Sequence, residues 1–369
     1  MANKQVHYTI SPIVQTYPSA LYYLIFGEKS NGKSYQAKQN DDPAEFGVTH
    51  YIKTKNKFIL LRRWAADLTT SWIEKYFSDV DVEKLTDGKY TCITTFRKDL
   101  YFSNIDNNYK VKRGEKIGTC IALSQEQHFS GASFLDYDNI IFEEFMERGA
   151  YLAHESEKLQ ILYSTVDRKR GTTKVVMVGN TISRVCPYLV DWNLLETMRK
   201  LKQGQMAEID TGTDYELDNG LIKKVTIAVE YCRASGGKSL AFGAAKSMID
   251  SGTWQSRPQP KLTESKNKYK ILYRIGFQYK GFRFLGELLK KDNNIMWFIY
   301  PKKTEFDDKI IVFSVEVSES RFWFRDIYQV NLPKRILKIL DTFRESIIFY
   351  SDDLTGTDFK QAIDFTIRK

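Results

Sequence analysis

The chain has 369 residues, of which 42% are apolar and 27% charged, with a formal net charge of +9. This composition is typical of a folded protein with a sizeable core, and the length suits two or three domains. No apolar run approaches the ~20 residues that span a bilayer, and residues 1–7 lack the apolar core of a signal peptide. We therefore expect no membrane partner and a cytoplasmic location. The four cysteines form no CxxC pair, which predicts reduced thiols.

The first strong signal in chain order is the motif G-x-x-x-x-G-K-S at 27–34. The apolar run 21–26 predicts a buried strand before it, and residues 35–39 suit the start of a helix after it. In that context the motif forms a phosphate loop (Walker A) whose backbone N–H groups surround a triphosphate. Lys33 is expected to reach the β- and γ-phosphates, and Ser34 to ligate Mg²⁺. The predicted nucleotide-binding residues are Gly27, Glu28, Lys29, Ser30, Asn31, Gly32, Lys33, Ser34 and Tyr35.

Further apolar runs alternate with helical stretches through the first 232 residues. They lie at 57–61, 90–96, 119–123, 139–142, 174–178 and 225–232. Short runs of this kind predict a mainly parallel, buried sheet, so we expect an α/β domain over 1–232. A second G-K-S sequence, at 237–239, lacks the glycine that a phosphate loop needs at position 232, which is Cys232.

The remainder of the chain changes character twice. Residues 233–265 have the composition of a linker, with one short helix predicted at 240–249. Residues 266–369 predict an α+β domain. Its expected elements are strands at 270–277 and 309–315 and helices near 333–344 and 358–368.

Two adjacent carboxylates, Glu143 and Glu144, follow the strand predicted at 139–142. Neighbouring side chains in a strand point to opposite faces, but the backbone turns at its end, so both can reach one site. We assign Glu143 to the magnesium shell and Glu144 to orienting and polarising the attacking water. The alternative is a charged strand end without a chemical role. The strands between Lys33 and Glu143 suit the additional-strand (ASCE) branch of P-loop ATPases.

Two polar positions flank the strand predicted at 174–178. Asn180 follows it and is a candidate sensor of the γ-phosphate, although Asn is also common in turns at strand ends. The cationic stretch 167–171 precedes it and could supply an arginine finger to a neighbouring subunit. The sequence leaves open whether Arg168 or Arg170 would act, and a solvated loop is the alternative.

Residues 257–303 account for the whole excess of positive charge, since they hold twelve Lys and Arg against three acidic residues. Aromatic residues interleave with these cations, a pattern that favours a polyanionic partner, with nucleic acid first. The alternative is a solvated strand face with the aromatic residues in the core behind it.

Five blocks, taken in order, resemble the DNA-packaging ATPases (encapsidation proteins) of phi-29-like podoviruses. They are Phe26-Gly27 with Asn31-Gly32-Lys33-Ser34-Tyr35, Phe58–Arg63, Ile140–Phe145, Thr165–Arg170, and Gly179-Asn180 with Cys186-Pro187-Tyr188. Residues 269–300 are weakly similar to the start of that family's C-terminal domain. The resemblance implies a terminase-like bacteriophage motor: an ATP hydrolase, with ATP and Mg²⁺ as cofactors. Such motors form a homopentameric ring at the portal vertex of an empty capsid and drive double-stranded DNA inward.

The resemblance also implies roles for single residues and for the C-terminal domain. Arg168 matches the family's trans-acting finger, and Arg62 matches an arginine that holds the catalytic glutamate between turnovers. The domain at 266–369 is similar to an RNase H-like nuclease that has lost its metal site, so we expect no nuclease activity. The implied location is the host cytoplasm, docked on the procapsid portal vertex, with the portal and a structural RNA as further partners.

Two positions depart from the family's pattern. Glu143 stands where the family usually has Asp, and residues 64–66 lack the basic residue that often follows the double arginine. We therefore look for the DNA-gripping residues in a polar, glycine-containing stretch that is predicted to be a loop. The candidates are Lys110, Lys112, Arg113 and Lys116. A solvated hairpin tip is the alternative for this cluster. The alternative functions are another P-loop nucleic-acid motor (helicase-like), a small-molecule P-loop kinase and a non-catalytic nucleic-acid-binding protein.

Overall fold

The computed structural model describes residues 7–40, 46–147, 151–235, 249, 252–254, 257–279, 281–314, 320, 322–324 and 332–367. Except for Ile249, the helix predicted at 240–249 lies outside these ranges. The chain divides into two compact units. The first comprises residues 1–182, 186–188 and 192–253, and the second comprises 183–185, 189–191 and 254–369.

A nine-stranded sheet forms the first unit. Its strands are β1 (Tyr22–Gly27), β2 (Lys57–Arg62), β3 (Cys92–Phe96), β4 (Asp99–Ile105), β5 (Val111–Ala122), β6 (Tyr137–Glu143), β7 (Lys174–Asn180), β8 (Gln205–Glu216) and β9 (Ile222–Tyr231). They are ordered β3-β4-β5-β2-β6-β7-β1-β9-β8. The six strands from β5 to β9 in this order are parallel, and the outer strands β3, β4 and β8 are antiparallel. The predicted α/β class with a mainly parallel sheet is confirmed.

Helices connect these strands. They are α1 (Ser11–Thr16), α2 (Lys33–Lys38), α3 (Gly47–Thr54), α4 (Thr70–Tyr76), α5 (Val82–Leu85), α6 (Glu155–Asp167), α7 (Pro187–Asp191) and α8 (Leu195–Lys200). Strands β1 and β6 are buried at every position. This burial explains their continuous apolar sequence, because a central parallel strand is covered on both faces.

The parallel strands bring distant residues to one edge of the sheet. Gly27, Arg62, Glu143 and Asn180 are the last residues of β1, β2, β6 and β7. Since carboxyl ends of parallel strands share an edge, these residues lie at the same edge. Strand β7 lies between β1 and β6, so one strand separates the phosphate-loop strand from the strand that ends in Glu143.

A six-stranded mixed sheet forms the second unit. Its strands are β10 (Lys270–Tyr279), β11 (Phe282–Lys291), β12 (Asn294–Pro301), β13 (Ile311–Ser314), β14 (Trp323–Phe324) and β15 (Ile348–Tyr350), ordered β14-β13-β10-β11-β12-β15. Strands β10, β11 and β12 are antiparallel, and β13, β14 and β15 run parallel to their neighbours. The two predicted strands are confirmed.

The helices of the second unit are α9 (Lys334–Glu345) and α10 (Asp353–Ile367). The helices predicted near 333–344 and 358–368 are confirmed, although the second begins at Asp353, five residues before its predicted start. The helix begins earlier because Asp352 caps it, accepting a 2.7 Å hydrogen bond from the Thr355 N–H. Aromatic side chains fill the core: Phe277 lies 5.0 Å from Phe359 between ring centroids, and Trp297 lies 5.4 Å from Phe343.

The prediction that the cationic cluster at 110–116 lies in a loop is wrong. Lys112, Arg113 and Lys116 lie on β5, and Lys110 directly precedes it. The turn of this hairpin is closed by Asp106, which accepts a 2.9 Å hydrogen bond from the Tyr109 N–H. Cross-strand pairing with β4 thus orders a polar sequence that has no apolar alternation of its own.

No helix within the described ranges is long and apolar enough to cross a membrane.

Candidate functional site

Residues 27–34 connect β1 to α2 as a tight loop. Gly32 has φ 101°, a conformation that favours glycine. The Lys33 side chain is buried, and its Nζ donates hydrogen bonds to the Glu28 carbonyl and to Asn31 Oδ1, the latter at 3.0 Å. Burial lowers the pKa of Lys33. Among the described residues no carboxylate lies within 4 Å of its Nζ, so this buried cation can accept an anionic partner.

The Glu143 carboxylate faces the start of α2. Its Oε2 accepts a 2.9 Å hydrogen bond from Ser34 Oγ, and its Oε1 accepts one from the Tyr76 hydroxyl at 2.7 Å. Burial raises the pKa of Glu143, and these two hydrogen bonds oppose that shift. A hydroxyl and a carboxylate are ligands suited to Mg²⁺, which proteins hold through one or two carboxylates together with substrate phosphates. No cluster of three His, Cys, Asp or Glu side chains suited to a metal occurs in the described ranges.

Glu144 takes a different direction from Glu143 because the backbone turns at this point. Its φ is 58°, in the left-handed region. Its Oε2 accepts a 2.9 Å hydrogen bond from Arg62 Nη2, and the Arg62 guanidinium carbon lies 4.9 Å from the Trp72 ring centroid. The two neighbouring carboxylates are therefore held by different partners, Glu143 by Ser34 and Tyr76, and Glu144 by Arg62.

Arg63 is a site residue whose role no motif in the sequence indicates. It is buried, and its guanidinium donates hydrogen bonds to both Glu155 oxygens, at 2.7 and 2.8 Å. It also donates to the carbonyls of Glu144 and Phe145, at 3.3 and 2.8 Å. Arg63 therefore fixes the turn on which Glu144 lies. Its adjacency to Arg62 was visible in the sequence, but its partner Glu155 lies 92 residues away.

Asn180 is placed beside the phosphate loop, opposite Gly27 in the β1–β7 register. The segment after β9 also reaches this loop. Glu28 accepts hydrogen bonds from the Ser235 N–H and hydroxyl, at 2.5 and 2.9 Å. Gly252 lies so close that a Cβ at this position would come within 2.7 Å of the Glu28 nitrogen. The polar residues after the last parallel strand thus contact the loop itself.

Arg168 and Arg170 have different environments. Arg168 directly follows α6 with φ 46° and is exposed, and its side chain donates one hydrogen bond, to the Ala132 carbonyl at 2.7 Å. The Arg170 guanidinium donates at 2.5–3.4 Å to the carbonyls of Phe134, Leu135, Tyr137, Val166 and Asp167. Both residues precede β7, so they lie at the sheet edge opposite the phosphate loop, separated from it by roughly 20 Å of strand.

The cations of the β4–β5 hairpin also differ from one another. Lys116 forms an ion pair with Asp99 at 2.9 Å. Lys110, Lys112 and Arg113 are exposed and have no carboxylate within 4 Å among the residues that the structure describes. The Arg113 guanidinium lies 4.8 Å from the Phe96 ring centroid, and that of Arg97 lies 5.2 Å from the same ring. Arg97 thus joins the predicted cluster, and Phe96 is 47% exposed.

Six of the cations that the structure describes in residues 257–303 have acidic partners. The paired residues are Lys261, Lys266, Lys268, Arg274, Arg283 and Lys291. Burial would raise the pKa of Glu287, but hydrogen bonds from Lys266 and Arg274 hold it below its usual range. The interleaved residues Phe277, Phe282 and Phe284 are buried. This segment therefore offers less free positive charge than its sequence indicates.

The amino-acid sequence is similar to DNA encapsidation and DNA packaging proteins of bacteriophages. Residues 3–219 match the family model described as Podovirus DNA encapsidation protein (Gp16). A DNA packaging protein of Bacillus phage B103 is 24% identical over 272 residues, covering 64% of this chain and 74% of that protein. A DNA packaging protein of Bacillus phage phi29 is 26% identical over 185 residues, which is 48% of each chain.

The structural similarity to a phage motor protein covers more of this chain than the sequence similarities do. A chain of the bacteriophage Phi-29 viral genome packaging motor assembly aligns with 98% of this chain and 100% of its own length. The TM-score is 0.55 and the sequence identity 17%. At 17% identity this likeness establishes a common fold and nothing about the chemistry.

Proposed function

Since the chain belongs to the podovirus DNA encapsidation protein (Gp16) family, we propose that it hydrolyses ATP to drive viral double-stranded DNA into a preformed capsid. The observation that carries the ATPase proposal is the pair formed by Ser34 and Glu143 beside the buried Lys33. A magnesium-bound triphosphate is bound by groups of this kind: a buried cation, a hydroxyl, and a carboxylate at the end of a parallel strand.

Each polar group then has a distinct task. Lys33 binds the β- and γ-phosphates, and Ser34 and Glu143 hold Mg²⁺, which neutralises charge that develops on the phosphate oxygens. Glu144 orients the attacking water once Arg62 releases it, and Asn180, at the end of the intervening strand β7, contacts the γ-phosphate. The position of β7 between β1 and β6 supports assignment to the additional-strand branch of P-loop ATPases.

We further propose that the site is completed by a neighbouring subunit in a homomeric ring, taken to be a pentamer. Arg168 precedes β7 and therefore lies at the sheet edge opposite its own phosphate loop. It cannot serve that loop, but it is exposed and can reach a second copy. Arg170 is a poor candidate because five backbone carbonyls already engage its guanidinium.

The DNA contacts are proposed to lie on the basic hairpin surface, which we define as Phe96, Arg97, Lys110, Lys112 and Arg113. Its four cations carry no acidic partner among the described residues, so they are available to phosphates. Lys116, a candidate from the sequence, is neutralised by Asp99 and contributes less. An exposed aromatic ring between two arginines adds apolar area that a DNA sugar or base can cover.

For domain organisation we propose an ATPase domain over 1–232, a linker over 233–265 and an RNase H-like domain over 266–369. The three antiparallel strands followed by a strand parallel to the first support the last assignment. In this proposal the C-terminal domain docks on the portal, with a structural RNA as a further partner, at the capsid in the host cytoplasm.

ATPase assays on the full chain test this proposal. Glu144→Gln should bind ATP with unchanged affinity and hydrolyse it about 10²–10⁴-fold more slowly, because it loses the group that polarises water. Lys33→Ala should lose binding as well. Duplex DNA should stimulate the wild type, which a small-molecule kinase would not show. Normal turnover by Glu144→Gln would remove this residue from the mechanism, and a monomeric mass with DNA and an ATP analogue would contradict the ring.

A further inference from the structure

Tyr76 contacts the carboxylate that the proposed function places in the magnesium shell. Its hydroxyl donates a 2.7 Å hydrogen bond to Glu143 Oε1, while Ser34 Oγ donates to Oε2 at 2.9 Å. Each oxygen of the Glu143 carboxylate therefore accepts a hydrogen bond from a different side chain. Ser34 belongs to the phosphate-loop motif, whereas Tyr76 lies 67 residues from Glu143 in the sequence and belongs to no motif.

Tyr76 is itself held in place by two neighbours. Its ring stacks on Trp72 with centroids 5.2 Å apart and an interplanar angle of 17°. Lys38 Nζ lies 4.5 Å from the Tyr76 ring centroid and donates a hydrogen bond to the Tyr76 carbonyl at 2.5 Å. Lys38 is the last residue of α2, the helix that begins at Lys33. The tyrosine hydroxyl is thus positioned by the side chains packed around its ring.

A glutamate needs such a restraint more than an aspartate does. Its side chain has one more rotatable bond, so without a second contact it can populate several rotamers, and ordering it costs conformational entropy. We propose that Tyr76 is a positioning residue that holds Glu143 in the rotamer in which its carboxylate and Ser34 can share one magnesium ion. Tyr76 thereby sets the affinity for magnesium-bound nucleotide. This inference rests on the proposed nucleotide site.

Equilibrium binding of a fluorescent ATP analogue, with and without MgCl₂, tests the inference independently of turnover. In EDTA, Tyr76→Phe should bind the analogue as the wild type does, because Lys33 and the loop are intact. The ratio of the affinity in MgCl₂ to the affinity in EDTA should be about fivefold smaller for Tyr76→Phe than for the wild type. Tyr51→Phe is the matched control, since Tyr51 also donates to a carboxylate, Glu115 at 3.1 Å, and it should behave as wild type.

A second background shows whether Tyr76 acts through Glu143. The shorter carboxylate of Glu143→Asp cannot bridge Ser34 and Tyr76, so adding Tyr76→Phe to it should change the magnesium-dependent affinity less than twofold. Equal effects in both backgrounds, or an unchanged magnesium gain in Tyr76→Phe alone, would overturn the inference while leaving the nucleotide site standing. A wild type without any magnesium-dependent gain would overturn both.

Discussion

Arg62 Nη2 donates a 2.9 Å hydrogen bond to Glu144 Oε2 across two adjacent strands. Arg62 ends β2 and Glu144 begins the turn after β6, so the pair forms only because these strands are neighbours. The contact occupies a carboxylate oxygen that would otherwise be free to accept a proton from water. It therefore restrains the residue to which we assign activation of the nucleophile.

Arg62→Ala should release Glu144 and raise ATP hydrolysis in the absence of DNA. The rise should be about threefold, because an ion pair with a half-exposed carboxylate contributes about 0.5–1 kcal/mol. The ratio of DNA-stimulated to unstimulated turnover should fall accordingly. Steady-state ATPase rates with and without duplex DNA measure both quantities. Arg199→Ala, which breaks an exposed pair with Glu196, should leave the ratio unchanged. A ratio that does not move in Arg62→Ala would show that the pair does not restrain Glu144.

Arg168→Ala and Arg170→Ala should fail in different ways. Arg168 is exposed with one hydrogen bond, so its loss should leave the melting temperature within about 1 °C while turnover falls ~10³-fold or more. Arg170→Ala leaves several carbonyls without a partner, which costs about 2 kcal/mol and lowers the melting temperature by about 5 °C. Thermal melts and ATPase rates on the same preparations distinguish the two roles.

Mixing subunits tests whether Arg168 acts in trans. Arg168→Ala subunits retain an intact phosphate loop, and Lys33→Ala subunits retain an intact Arg168. A mixed ring therefore contains some complete sites, and mixing should restore part of the ATPase activity that each variant lacks. If no ratio of the two variants restores turnover, the arginine does not complete a neighbour's site.

Arg97→Ala/Arg113→Ala should weaken binding to duplex DNA of any sequence. If each arginine contacts one phosphate, the slope of log affinity against log salt concentration should become shallower by about 2. Fluorescence anisotropy with a labelled duplex at several salt concentrations measures this slope. Lys224→Ala, an exposed lysine paired with Asp210, is the control. A slope equal to that of the wild type would place the DNA contacts elsewhere.

Glu230 should make the first unit less stable at alkaline than at mildly acidic pH. It accepts a 2.8 Å hydrogen bond from the Tyr8 hydroxyl, and burial raises its pKa to about 7. The folded state then binds this proton more tightly than the unfolded state, whose pKa is ~4.3. The free energy of unfolding consequently falls as the pH rises from the unfolded to the folded pKa and levels off above about 7.

The Glu230→Gln variant has no titrating carboxyl at this position, so its free energy of unfolding should not show this fall with pH. Its stability relative to the wild type should increase by about 2 kcal/mol between pH 5 and pH 8, or about 5 °C in melting temperature. Melting curves across this range provide the measurement, with Glu208→Gln on the neighbouring strand β8 as an exposed control. A difference between variant and wild type that stays constant with pH would mean that Glu230 does not titrate in this window.

Residues 27–34 illustrate what local sequence can determine. The strand, the loop and the start of α2 were predictable because the apolar run, the glycines and the lysine act within a few residues of one another. The same holds for the parallel sheet, since a strand buried on both faces must be apolar throughout. The position of Glu143 at the end of its strand followed from the same pattern.

The partners of these residues depended on the tertiary structure alone. Tyr76 contacts Glu143, Glu155 contacts Arg63, and Arg97 joins Arg113 at the Phe96 ring, and no local sequence pattern indicates any of these pairings. The ordering of 111–116 as a strand likewise came from pairing with β4. Local periodicity and turn chemistry determined which segments form strands and where the phosphate loop begins. Strand order determined which side chains share an edge, because hydrogen bonds between strands join residues whose sequence separation carries no signal.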